Sequence, residues 1–147
     1  MTDSTEIVRH FLATLGYRLN LILQNAPDTF ADYSAGSGVR TPLEILRHMS
    51  DLMAATISRY GIERAATPEI PWKAERGRFF GRLQQLDDIL KDSNRITEEP
   101  IERLLQGPLA DAMTHVGQLA LLSRMAGAPL EAESYIKSDI QTGKFEL

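Results

Sequence analysis

The chain contains no cysteine. That absence removes disulfides, thiolate zinc sites, iron–sulfur clusters and a cysteine nucleophile together. Any metal site must be built from histidine, aspartate or glutamate, and histidine is scarce, with only His10, His48 and His115. Positive charge is not in excess: 16 Lys and Arg stand against 20 Asp and Glu, a net charge of −4, which argues against a nucleic-acid partner. No apolar run is long enough to span a bilayer, and Asp3 and Glu6 interrupt the N-terminal stretch. Neither a signal peptide nor a membrane partner is expected, and the cytoplasm is the expected compartment. No strand-like alternation and no internal repeat stand out.

What is present is helical periodicity. A chain of 147 residues that is 43% hydrophobic can bury one core, so a single domain over 1–147 is expected. In residues 4–25, Ile7, Val8, Phe11, Leu12, Leu15, Leu19, Ile22 and Leu23 recur every three or four positions and predict a first helix ending before Pro27. His10 lies beside that stripe with no polar companion at helical spacing, and reads as an ordinary boundary side chain. Residues 25–40 turn to Asn, Pro, Asp, Ser and Gly, which predicts a loop. Thr41-Pro42-Leu43-Glu44 then reads as a capping box with proline at the first helical position. The second helix carries Ile45, Leu46, Met49, Leu52, Met53 and Ile57 inward, with His48 at the margin of the stripe and Asp51 one turn on and further out.

Trp72 opens a third pattern through Phe79, Phe80, Leu83, Leu86, Ile89 and Leu90. Gly77 and Gly81 could admit a close neighbour. Lys73, Arg76, Arg78 and Arg82 make the first half basic, and a solvated face or partner contact balanced by Asp87 and Asp88 is preferred to an anion site. Residues 93–100 read as a turn and 101–106 as a short helical lead-in. Gly107-Pro108 is expected to reset the chain, because the residue before proline is biased away from the helical region. The fourth helix would begin at Pro108 and stop at Gly127, with Pro129 behind it. The last segment, with Tyr135, Ile136, Ile140 and Phe145, keeps no stripe and is expected to be an irregular tail packed on the bundle. The fold class predicted is all-α, a four-helix bundle.

Residues 109–127, LADAMTHVGQLALLSRMAG, hold the chemistry. Placed at about 100° per residue with His115 at zero, Ala112, Leu119, Leu122 and Ala126 lie within roughly 60° of it. Asp111 falls near −40° and Gln118 near −60°, so the three polar residues form a ladder on one edge of the face expected to be buried. Buried polar groups need partners, and an ionised one needs a counter-charge or a metal. His48, Asp111 and His115 together offer two imidazoles and one carboxylate, a mix that suits zinc, nickel, iron or manganese with open positions. The other reading is a hydrogen-bonded core network in which Asp111 accepts from a histidine and Gln118 satisfies what remains.

THVGQLALLSRMAG resembles the last helix of the DinB-like four-helix bundle family, in which a His-x-x-x-His pair precedes a Gly-Gln-Ile/Leu step. TPLEILRHMSDL is similar to that family's second helix, which supplies a third histidine, and ESYIKSDIQTGKF is similar to its closing segment. Matched position by position, the family's metal ligands fall on His48, Asp111 and His115. Asp111 stands where the family usually shows the first histidine of the pair. The swap brings a negative charge to the site and should make a metal-bound water a weaker acid than in a three-histidine site. It would equally mark a member that has lost its metal and kept the fold.

The resemblance implies a divalent-metal-dependent enzyme, either a thiol-dependent transferase acting on small electrophiles or a metal-water hydrolase, with Gln118 orienting the cofactor's ligands. No acid, base or nucleophile is assigned as catalytic. The expected partners are a small-molecule substrate, including a low-molecular-weight thiol, and a second copy of the chain in a homodimer. The alternative is a non-catalytic binding or dimerisation module with a polar core network and the glycine-spaced third helix as its contact face. Geometry separates the two: histidine side chains held more than about 6 Å apart cannot both bond one ion at about 2.0–2.1 Å.

Overall fold

Asp3 accepts a hydrogen bond from the Thr5 N–H at 3.2 Å and caps helix α1 (Ser4–Asn25), which ends two residues before Pro27 as the periodicity predicts. The computed structural model describes residues 3–92 and 99–145. The capping box at Thr41 forms in full: Glu44 N–H donates to the Thr41 hydroxyl at 3.3 Å, and Thr41 N–H donates to Glu44 Oε2 at 2.7 Å. It opens α2 (Pro42–Ser58), and α3 follows (Trp72–Lys91).

Between the first two helices, residues 25–40 are not all loop. Asp28–Asp32 form a 3-10 turn that drives Phe30 into the core, edge-on to Trp72 with ring centroids 5.9 Å apart. A single buried phenylalanine outweighs the surrounding turn-forming residues, because its burial is worth about 1.5–3 kcal/mol.

The last helical region departs most from expectation. A short helix α4 (Ile101–Leu104) does not stop at Gly107-Pro108 but runs through a π-helical turn (Leu105–Leu109) directly into α5 (Ala110–Met125). Proline lacks an amide hydrogen and its ring crowds the carbonyl four residues back, and the wider turn relieves both conflicts without breaking the helix. Ala110 N–H reaches back five residues to the Leu105 carbonyl. The extra residue also rephases the helix, so Leu104 and Leu109, five apart, are both fully buried. Asp111 therefore follows a π turn within one continuous helical run instead of lying in the first turn of a new helix. At the far end Gly127 adopts φ 84°, and Ala128 N–H closes the helix on the Ser123 carbonyl at 2.9 Å, the stop predicted from sequence.

The principal packing contacts run α1 to α3, α3 to α2, α2 to α5 and α5 back to α1, a closed ring of four long helices. The chain is all-α, with no strand among the described residues, and the four-helix bundle expected from the periodicity is present. Leu12, Leu15, Leu19, Leu46, Met49 and Phe79 meet inside the ring. The first helix's Ile7, expected in the stripe, is instead 56% exposed. Gly77 and Gly81 face open space, so the close approach they permit is not made within the described chain.

The tail docks through a few anchors. Phe145 is buried, its carbonyl accepts from Asn20 Nδ2 at 2.5 Å, and Gly16 leaves the gap it fills: a Cβ there would lie 3.0 Å from that carbonyl. Ile136, by contrast, points out at 94% exposure. His10 finds its partner in this tail, with Nδ1 3.0 Å from the Thr142 hydroxyl. No helix of the described residues is long and apolar enough to cross a membrane. The turn expected at 93–100 lies, for residues 93–98, outside the described residues.

Candidate metal centre

Helices α2 and α5 pack side by side, and that contact brings His48 to the two polar residues of the last helix. His115 sits on the inward face and is buried, as its angular position predicts. Asp111 and Gln118 do not share that burial: the Asp111 side chain is 47% exposed and Gln118 is exposed, so both stand at the rim of the face. At about 40–60° from the centre of the stripe a side chain reaches past the edge of the helix contact and into solvent. The cluster therefore opens outward.

Its atoms converge. His48 Nε2 lies 3.7 Å from Asp111 Oδ2, and His115 Nε2 lies 3.4 Å from Asp111 Oδ1. One ligand atom from each of the three residues can be chosen so that all lie within 4.8 Å of one another, inside the 6 Å limit. The imidazole rings meet edge to face, centroids 4.8 Å apart at 87°. Hydrogen bonds between nitrogen and oxygen run about 2.7–3.2 Å, so both Asp111 contacts are too long to be good ones. Metal bonds of about 2.0–2.2 Å at a tetrahedral angle hold neighbouring donors about 3.3–3.6 Å apart. The 3.4 Å pair falls within that second spacing and the 3.7 Å pair lies just outside it. The 4.8 Å limit exceeds the roughly 4.0–4.4 Å that two such bonds span in a straight line, so the widest pair must draw in by side-chain rotation.

His115 makes one true hydrogen bond. Its Nδ1 lies 2.7 Å from Gln118 Oε1, and in the tautomer that donates to this oxygen the Nε2 lone pair faces Asp111 and His48. His48 is held below the ordinary imidazole pKa, first by burial and then by the nearby His115 and Arg40, against an opposing pull from Asp111. The neutral, lone-pair-bearing form is favoured.

Two clefts adjoin the cluster. One, of about 460 Å³, is polar and is bounded by Arg40, Glu44, Arg47, His48, Asp51 and Thr67. The other, of about 340 Å³, lies beside His115 and Gln118 and is walled by Val39, Ile45, Leu121 and Leu122. Arg40 borders both. Asp51 does not join the cluster, because Arg64 holds it at 2.8 Å and Thr67 at 3.3 Å. Arg64 is the main reason its carboxyl titrates below the ordinary range.

A second polar cluster went unseen in the sequence. Glu75 is fully buried in α3, where it accepts from the Ser50 hydroxyl at 2.5 Å and from both Arg78 Nε at 3.1 Å and Arg78 Nη2. Arg78 also donates to the Pro68 carbonyl, and Arg82 donates to the Ser50 and Ala66 carbonyls and the Thr67 hydroxyl at 2.7–2.9 Å. These arginines are neither a solvated face nor a partner contact. They bind the α2–α3 connection to the bundle. Asp87 and Asp88 do not balance them: Asp87 is buried against Arg9 of α1 at 2.8 and 3.1 Å, and Asp88 pairs with Lys91 and Gln84. Arg78 and Arg82, one turn apart on the helix, were the available signal, but nothing local tells that they fold back onto carbonyls of the preceding connection.

Comparison with protein-family models, with curated proteins and with solved structures finds no match for this chain.

Proposed function

We propose that His48, Asp111 and His115 bind one divalent transition metal and that the chain is a metal-dependent enzyme of DinB-like type acting on small molecules. The observation that carries this reading is the convergence of the three donors, at separations longer than good mutual hydrogen bonds, within reach of a shared ion after side-chain rotation, and open to solvent on the Asp111 side. The order of the helix-two and helix-four motifs along the chain supports the same family. Two imidazoles and one carboxylate fit zinc, nickel, iron(II) or manganese, with coordination positions left for other ligands.

When bound, such an ion supplies Lewis acidity, which activates either a thiol for transfer to an electrophile or a water for hydrolysis. The chain's own residues do the rest. Gln118 fixes the ring and the proton of His115 through their 2.7 Å contact. The half-exposed Asp111 contributes the negative charge and the open side through which a small molecule enters. Ile45 and Leu122 give the cleft on one flank of the centre an apolar wall.

The competing reading, a metal-free module with a polar core network, requires Asp111 to accept hydrogen bonds from the imidazoles. Contacts of 3.4 and 3.7 Å do not provide them. Metal analysis of protein purified without a polyhistidine tag, with turnover of a thiol and an electrophile or of a hydrolysable ester followed in the same preparation, tests the proposal. Metal near one equivalent, lost together with activity in His115→Ala, is the expected result. Substoichiometric metal that does not fall further in that variant overturns it.

A further inference from the structure

We infer that the centre selects an amphipathic anion: a small molecule whose apolar body lies along α5 and whose carboxylate, or an equivalent anionic group, is held by Arg40. The inference rests on reading His48, Asp111 and His115 as the reacting centre and adds the class of molecule brought to it.

Arg40 is exposed, and it makes no hydrogen bond or ion pair among the described residues. The other charged groups of the polar cleft are occupied. Arg47 pairs with Glu69 at 2.6 Å, Asp51 with Arg64, and Glu44 with the Thr41 amide. Arg40 and His48 line the same polar cleft, so the Arg40 charge stands beside the centre. It also borders the apolar cleft that His115 adjoins. Along that cleft Val39 and Leu121 are 48% and 57% exposed and offer apolar surface for a ligand to cover. A ligand lying there covers them and brings its charged end to Arg40. Charge balance points the same way: two neutral imidazoles and one carboxylate leave a divalent ion with a net single positive charge, and Arg40 adds another. Arginine's planar fork suits a carboxylate or phosphate bidentately.

The test uses the full chain, zinc-loaded and zinc-stripped, titrated by calorimetry or NMR with 4-phenylbutanoate, its uncharged amide 4-phenylbutanamide, and acetate. The expected result is binding of the phenyl carboxylate about tenfold tighter than the amide, a factor within reach of one charge-assisted hydrogen bond, and tighter than acetate. In Arg40→Gln the acid and amide should bind alike with zinc content unchanged. In Leu121→Ser, an exposed position that keeps the fold, the margin over acetate should shrink. Equal binding of acid and amide to the wild-type chain overturns the inference. So does a preference that survives Arg40→Gln, since the carboxylate is then held by the ion instead. A chain that takes up no zinc yet keeps an Arg40-dependent preference upholds the ligand class and removes the metal reading.

Discussion

Two polar clusters hang from opposite sides of a single turn of α2 and end up chemically opposite. Ser50 points to α3 and His48 to α5, since two positions along a helix are about 200° apart. On the Ser50 side, Glu75 and Arg78 satisfy each other, Ser50 adds its hydroxyl, and Arg82 spends its donors on backbone carbonyls and Thr67. That cluster is closed. On the His48 side, two imidazole nitrogens and a carboxylate face one another without bonding, and only Gln118 makes a short contact. That cluster is open, and its three donors could hold a cation. Charged residues in a bundle therefore do not announce their role by type or burial. The role follows from whether donors and acceptors cancel in place or converge on a point that none of them fills.

The largest effect should come from breaking the closed side. Glu75→Ala strands Arg78 and Ser50 in the interior and should cost about 3–5 kcal/mol of stability, read by urea unfolding. Zinc bound per folded chain should stay as it was. A loss below about 1 kcal/mol would mean that the network is not what fastens the α2–α3 connection.

The open side should respond to metal and little else. Saturating zinc at a hundredfold excess over its dissociation constant should stabilise the wild-type chain by about 2.7 kcal/mol. Asp111→His should keep that increment and Asp111→Leu should lose it, while both metal-free variants unfold within about 0.5 kcal/mol of the wild type, since Asp111 is a partly exposed side chain. If Asp111→Leu alone destabilises the metal-free chain by several-fold more than that, the cluster is a structural network after all.

Acid should separate the clusters by pH, with the smallest change in stability. Protons compete with a metal for imidazole nitrogen, so zinc should leave as pH falls through the histidine range. Burial and the neighbouring His115 and Arg40 hold His48 below the ordinary value, which carries that loss to lower pH than a free imidazole would show. Asp51, next to the closed network through Thr67, is depressed mainly by Arg64. A carboxyl depressed on folding contributes stability that is present above its unfolded pKa and lost as pH falls through the folded value. The α2–α3 connection should thus loosen only below about pH 4, and slightly, because Asp51 is partly exposed and screened. Zinc release followed by dialysis and unfolding followed by circular dichroism should trace two separate acid transitions.

Local signals made several features legible in advance. The helix-two start at Thr41 and the stop at Gly127 are set by side chains within a few residues, so the sequence carries them complete. The inward position of His115 follows from angular spacing alone. The structure departs from the loop expected over 25–40 and the break expected at Gly107-Pro108 because in each case a tertiary contact or a rephased turn overrides a local preference: the core claims Phe30, and the π turn absorbs Pro108. Glu75 was missed because its partners lie 25 residues back in the chain at Ser50 and on its own helix at Arg78, and only the packing of α2 on α3 removes the set from water.

By itself, the sequence determined the four helices, their apolar faces, and the restriction of any metal site to histidine and carboxylate, since periodicity, capping and the lack of cysteine are properties of neighbouring residues. Only the tertiary structure decided that Asp111 sits at the rim while His115 is buried, that His48 faces them across the α2–α5 contact, and that Arg78 and Arg82 of α3 fold back onto the α2–α3 connection. Those outcomes depend on the distance and angle between helices, which no run of adjacent residues encodes.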